Sequence, residues 1–133
     1  MSNKVFVGYD TREDIAYQVC EHSIWQHNKG TEVIPLKQKE LRDKMLYWRG
    51  EDKLASTEFT FTRFLIPHLM NYEGWALFID SDIVFLEDVD NLFALADDKY
   101  AVMCVQHDYN PKPGTKMDGQ IQTQYPRKNW SSV

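Results

Sequence analysis

The sequence predicts an α/β fold: a doubly wound, mostly parallel sheet. Three observations lead there. Lys4–Gly8 and Trp75–Ile79 are short apolar runs that read as buried strands, and Thr31–Leu36 reads as a further strand. Segments with helical spacing lie between them, so the first 36 residues read strand, polar loop, helix, strand. The third run ends abruptly in Asp80-Ser81-Asp82, and open α/β sheets bind ligands at that end of their strands. A length of 133 residues suits one core, so residues 1–133 are expected to form a single domain.

Each element has its own warrant. Lys4–Gly8 is a buried strand that ends in the polar loop Tyr9-Asp10-Thr11-Arg12. Glu13 to Asn28 follows as a helix, with Ile15, Val19, His22, Ile24 and Trp25 expected on its inner face. Glu13 and Asp14 suit its first turn, and Asn28-Lys29-Gly30 stops it. After the second strand, Lys37–Met45 reads as a short charged helix and Tyr47–Leu54 as a polar loop. Ser56 is expected to cap a helix running toward Met70, with Pro67 kinking or ending its last turns. Beyond Asp82, Ile83–Phe85 reads as a short strand, Glu87–Leu95 as an acidic helical turn, and Tyr100–Val105 as a further buried strand. Gln106–Arg127 holds three prolines and no apolar period, so it reads as a long functional loop. Asn129–Val133 looks like the start of another strand.

Composition narrows the classes. The chain is 43% hydrophobic and 14% aromatic, which marks a globular protein. A formal charge of −5 without a basic run argues against nucleic acid as a partner. No apolar stretch is long enough to span a bilayer, and no leader pattern precedes the first strand. Cys20 and Cys104 both sit in apolar patterns, as buried thiols of a reducing compartment would, so the cytoplasm is the expected location. Trp25, Trp48 and Trp75 are expected as core or edge aromatics.

Asp80 and Asp82 carry the chemistry. Two neighbouring carboxylates repel unless a cation or a shared proton relieves them. Hard oxygen ligands favour Mg²⁺ or Mn²⁺. Arg63 lies among Phe59, Phe61, Phe64 and Leu65, a setting in which an arginine needs an anionic partner. A salt bridge to Asp80 or Asp82 is the structural alternative to an anionic ligand. Arg12 is expected to be a solvated surface residue that can also reach a phosphate.

Four motifs in order resemble the nucleotide-sugar-binding half of a GT-A glycosyltransferase, family 8-like: Val5–Asp10, Ser56–Pro67 around Arg63, Phe78–Asp82 and Asn129-Trp-Ser-Ser. Ala101–Asp108 and Lys116–Gln120 are similar to a proteobacterial branch of such proteins. The resemblance implies a Rossmann-like GT-A fold in three α/β/α layers, incomplete at its C-terminus, with the chain as the enzyme's N-terminal portion. It implies transfer of a sugar from a nucleotide-diphosphate sugar, a UDP-sugar above all, to a saccharide, lipid or protein acceptor. On this basis Asp80 and Asp82 hold Mn²⁺ or Mg²⁺ against the donor's diphosphate. Tyr9 stacks on the base and Asp10 accepts from its ring. Arg63 approaches the sugar and phosphates, Ser81 the ribose or phosphate, and Asn129 the donor sugar, although Asn-Trp-Ser stands where the family has Asn-x-Gly. His107 and Asp108 can line the same cleft. The resemblance also implies retention of anomeric configuration and a third metal ligand beyond residue 133. An unfinished sheet edge would invite homo-oligomers.

Two other classes stay open from the residues. A haloacid-dehalogenase-like phosphohydrolase also ends a strand in DxD, with a nucleophile and a general acid. That motif has Thr where Val84 stands here and lies near the N-terminus. A non-catalytic nucleotide-binding or interaction module is the other.

Overall fold

The computed structural model describes residues 2–106, 114–115 and 121–122. The chain divides into two compact units, Met1–Asp97 and Asp98–Val133.

The first unit is an α/β fold around a parallel sheet. Strands β1 (Lys4–Gly8), β2 (Glu32–Leu36) and β3 (Ala76–Ile79) stand in the order β2-β1-β3. Val5 pairs with Val33 on one side and with Leu77 on the other. The alternation of a strand then sorts side chains to two faces. Val5, Val7 and Ile79 pack with Tyr17, Cys20 and Ile24 of helix α1 (Asp14–His27). Phe6 and Leu36 pack on the opposite face with Leu41 of helix α2 (Gln38–Asp43), and Phe61, Leu65, Ile66 and Phe78 close around them. Helical layers on both faces of a parallel sheet make this a Rossmann-like, three-layer arrangement, as the sequence predicts.

Several elements depart from expectation, each for a local reason. Helix α1 turns a different stripe inward. Tyr17, Cys20, Ser23 and Ile24 are buried, whereas Ile15 (71% exposed), Val19, His22 and Trp25 face outward. The inward stripe includes Ser23, whose hydroxyl donates to the Cys20 carbonyl at 2.7 Å and accepts the Phe85 N–H at 3.0 Å. Trp25 instead lies at the edge, donating its indole N–H to the Thr31 carbonyl at 2.9 Å.

The helix expected over 56–70 is split. Thr62–Leu65 is a 3₁₀ turn and Ile66–Leu69 a short α-helix, α3, with Pro67 in its first turn rather than its last. Proline has no N–H to donate to the Arg63 carbonyl, so a continuous α ladder cannot pass this point. Upstream, Ser56 caps no helix. Thr57 and Thr60 bond each other instead, the Thr60 hydroxyl meeting the Thr57 carbonyl at 3.0 Å, which offers the backbone an alternative to helix.

Ile83–Phe85 is not a strand, because the Phe85 N–H donates to Ser23 Oγ at 3.0 Å and not to a sheet ladder. The acidic turn shortens to α4 (Asp90–Phe93). Trp48 is 83% exposed, in neither core nor edge.

In the second unit Tyr100–Val105 forms no strand and Cys104 is exposed, against expectation. The apolar pattern is present, but no ladder partner among the described residues takes up its backbone groups. Gly114–Thr115 (β4) and Ile121–Gln122 (β5) form a short antiparallel pair within the segment expected to be loop. The Asn129–Val133 strand lies outside the described residues.

One glycine is required by packing. A Cβ on Gly8 would lie 2.5 Å from Cδ2 of the Phe59 ring, which is itself buried over the end of β1. Gly8→Ala is therefore expected to destabilise the fold by about 1–3 kcal/mol through overpacking. Urea unfolding checks this: a midpoint unchanged from wild type would show that Phe59 can move aside freely.

Candidate functional site

The sheet order locates the site. The connection from β1 runs to β2 on one side, and the chain later returns to β3 on the other. The crevice at such a switch point lies at the C-terminal ends of the two strands. Val7 pairs with Ile79, so Tyr9–Asp10 and Asp80–Asp82 leave the sheet side by side. Residues about 70 positions apart in sequence thus meet at one edge.

The β1 side is built around a buried charge. Asp10 is 1% exposed and accepts four hydrogen bonds. Its Oδ1 takes the Arg12 backbone N–H and Nε, both at 3.0 Å. Its Oδ2 takes Arg12 Nη2 at 2.7 Å and the Glu58 N–H at 3.2 Å. The bond from the Arg12 guanidinium leads in holding this carboxyl down to about 2, against the cost of burial. The same bonds cap the 3₁₀ turn Thr11–Glu13. Arg12 is thus exposed, as expected, and also committed to Asp10.

Tyr9 is largely enclosed. Its hydroxyl donates to Asp14 at 2.5 Å, which, with burial and the Asp14 charge, pushes the phenol up to about 12. Tyr17 meets its ring edge-on at 5.5 Å between centroids. Lys37 Nζ sits 5.0 Å from its ring centroid. A base stacking on Tyr9 would have to displace Lys37. A base bonding to Asp10 would have to exchange with a donor already in place.

The β3 side is more open. Ser81 is buried in the turn, Asp82 is exposed, and Asp80 is half-buried with its Oδ1 enclosed. Arg63 Nη2 lies 4.0 Å from Asp80 Oδ1. The Arg63 guanidinium stands 4.9 Å from the Phe78 ring and 5.6 Å from the Phe59 ring, and these two rings pack on each other at 6.5 Å between centroids, so a partly desolvated cation lies over an aromatic pair. The pairing with Asp80 is the one the sequence offers as the structural alternative.

Asp80 and Asp82 are hard oxygen donors and suit Mg²⁺ or Mn²⁺, which take few protein ligands and keep waters or phosphate oxygens in the remaining positions. No third His, Cys, Asp or Glu joins them in a cluster among the described residues. Cys20 lies on the same face of the sheet. Burial pushes its thiol up to about 11 and the Asp82 charge adds to this, so it stays protonated at neutral pH. Asn129, His107 and Asp108 lie outside the described residues.

The roles of three residues escaped the sequence reading. Glu58 and Thr11 fasten the segment 56–59 to the end of β1, the Thr11 hydroxyl meeting Glu58 Oε1 at 2.6 Å. Lys37 closes over Tyr9. The Ser-Thr-Glu run signals a turn or cap, but nothing in the sequence pairs Glu58 with Thr11.

A parallel sheet carries two acids and an arginine at its switch point, the place where open α/β proteins bind their ligands. The chain belongs to glycosyl transferase family 8, whose model matches residues 9–132. It is similar to Protein CDI of Arabidopsis thaliana, with 60% identity over 131 residues, covering 98% of this chain and 51% of that protein. The chain thus spans about half the length of this curated relative. The relative is a plant protein and gives no support to a proteobacterial branch. No solved structure matches the chain. The family match leaves the phosphohydrolase alternative without support. No helix among the described residues is long and apolar enough to cross a membrane.

The Asp10 network yields a pH signature. A carboxyl lowered by folding contributes stability above its unfolded value of 3.8, and the contribution is lost as pH falls through about 2. Asp10→Asn is expected to cost about 2 kcal/mol at pH 7, the scale of hydrogen bonds to a buried charge. The gap to wild type should narrow between pH 4 and pH 2. Denaturant titrations across that range test this; a gap independent of pH would mean that the charge is not what the site uses.

Proposed function

We propose that the chain forms the donor-binding part of a metal-dependent glycosyltransferase, taking a nucleotide-diphosphate sugar, a UDP-sugar above all, and passing the sugar to a saccharide, lipid or protein acceptor. The observation that carries this is the pairing of Arg63 with Asp80, just past the end of β3 and beside the Tyr9–Asp10 loop of β1, in a chain of glycosyl transferase family 8.

In this reading Asp80 and Asp82 hold Mn²⁺ or Mg²⁺, which when bound neutralises the diphosphate that leaves. The bond between the anomeric carbon and the diphosphate oxygen breaks, and its electron pair stays with the nucleoside diphosphate. An acceptor hydroxyl forms the new bond and gives up its proton. Arg63 adds a fixed positive charge on the phosphates from its place over Phe59 and Phe78. Ser81 offers a hydroxyl to the ribose or phosphate. Tyr9 and Asp10 shape the base end. Beside them a cavity of about 230 Å³, lined by Arg12, Gln38, Arg42, Tyr47, Thr57 and Glu58, offers room for part of the nucleoside. Asn129 is assigned to the donor sugar by family resemblance alone.

Thermal unfolding with nucleoside diphosphates and nucleotide sugars, with and without Mn²⁺, tests the proposal. A true site stabilises the fold by about 2.7 kcal/mol at a hundredfold excess over Kd. The stabilisation should need the metal and should disappear in Asp80→Asn and Asp82→Asn. A shift that survives both substitutions, or no metal-dependent shift with any nucleotide, would remove the metal-clamp reading.

A further inference from the structure

Glu58 sits at the junction between the two sides of the crevice. Its Oε2 accepts the Thr11 backbone N–H at 3.1 Å and its Oε1 accepts the Thr11 hydroxyl at 2.6 Å. Its own N–H donates to Asp10 Oδ2 at 3.2 Å, and its carbonyl accepts Gln38 Nε2 at 3.0 Å. Side chain, amide and carbonyl are therefore all tied to the rim of β1 and β2. The next residue, Phe59, fills the space over Gly8, and its carbonyl accepts Arg63 Nε at 3.4 Å. The Phe59 ring packs on Phe78 of β3, and the Arg63 guanidinium lies over both rings.

The direction of this chain of contacts matters. The sequence from 56 to 61 forms no regular helix that would fix Phe59 by itself. Its placement depends on anchors at its ends, and Glu58 is the anchor next to Phe59. Thr11 presents two diverging donors, an N–H and an O–H. A carboxylate accepts both at once, one on each oxygen, whereas a carboxamide has a single acceptor oxygen.

The geometry points to Glu58 as a positioning residue: its clasp on Thr11 sets the Arg63 guanidinium beside Asp80, where a donor diphosphate is met. This rests on the reading of the crevice as a diphosphate clamp, and the test separates the two.

The first readout needs no ligand. In wild type the Arg63 Nε–H resonance should carry a ring-current shift from Phe59 and Phe78. In Glu58→Ala that shift is expected to collapse, and Glu58→Gln should recover part of it. The second readout is titration with UDP and with uridine in Mn²⁺. Glu58→Ala should weaken UDP binding roughly tenfold, about one charge-assisted hydrogen bond's worth, and weaken uridine binding by less, since Glu58 also lines the cavity beside the base end. In an Arg63→Ala background it should add no further loss. Should Glu58→Ala fail to fold, Thr11→Val removes one of the two donors and should shift the Arg63 resonance the same way by a smaller amount. An Arg63 resonance unmoved in a folded variant overturns the role of Glu58, whether or not a nucleotide binds. Equal weakening of UDP and uridine also overturns it, since general loosening would then suffice. Absence of Mn²⁺-dependent UDP binding by wild type counts against the clamp instead, and the Arg63 resonance still decides Glu58.

Discussion

The buried carboxylate of Asp10 is the constraint on which the rest of the site depends. A charge enclosed to this degree is costly unless its acceptor positions are filled. Four donors fill them, three from Arg12 and one from the Glu58 backbone. The first three are local and fold the loop after β1 into a 3₁₀ turn. The fourth comes from 48 residues further along the chain and draws the segment before α3 onto the end of the sheet. Without that draw Phe59 would have no reason to lie over Gly8, and Arg63 would lack one of the two rings it lies over.

The sequence displayed the frame of this arrangement clearly. Short apolar runs broken by polar loops have a simple signature, and β1, β2 and β3 fall within one residue of the expected strands. The DxD acids were legible for the same reason, because charge following immediately on a buried strand has few places to be. What was not legible depended on competition between surfaces. Helix α1 carries two apolar stripes, and periodicity cannot tell which one the sheet accepts. The sheet takes the stripe of Tyr17, Cys20 and Ile24. The 56–70 segment has helical composition, but Pro67 and the threonine hydroxyls interrupt the ladder. Ile83–Phe85 alternates like a strand, yet Ser23 takes its backbone donor.

The site was legible by type and less so by role. Asp80 and Asp82 follow directly on β3, and Arg63 reaches the first of them. Tyr9 and Asp10 stand at the expected place, yet both are already engaged by the protein itself. A sequence shows that an acid follows a strand. It does not show that a neighbour two residues on will saturate it. The Glu58–Thr11 contact lies still further from view, since it joins two unremarkable polar residues across 47 positions.

The strand order explains why so few residues suffice. Parallel strands bring all their C-terminal ends to one edge of the sheet, and the order β2-β1-β3 makes the first and third strands neighbours. If β2 stood between them, Asp10 and Asp80 would be separated by an additional strand spacing of about 4.8 Å and by the polar backbone leaving it. Arg63 could then not reach Asp80 while Glu58 holds the Asp10 loop. The cation, the acids and the clasp are therefore mutually dependent on one topological choice. That choice is set by which face each connecting helix covers, and so ultimately by the apolar faces of β1 itself: Val5 and Val7 toward α1, Phe6 toward α2.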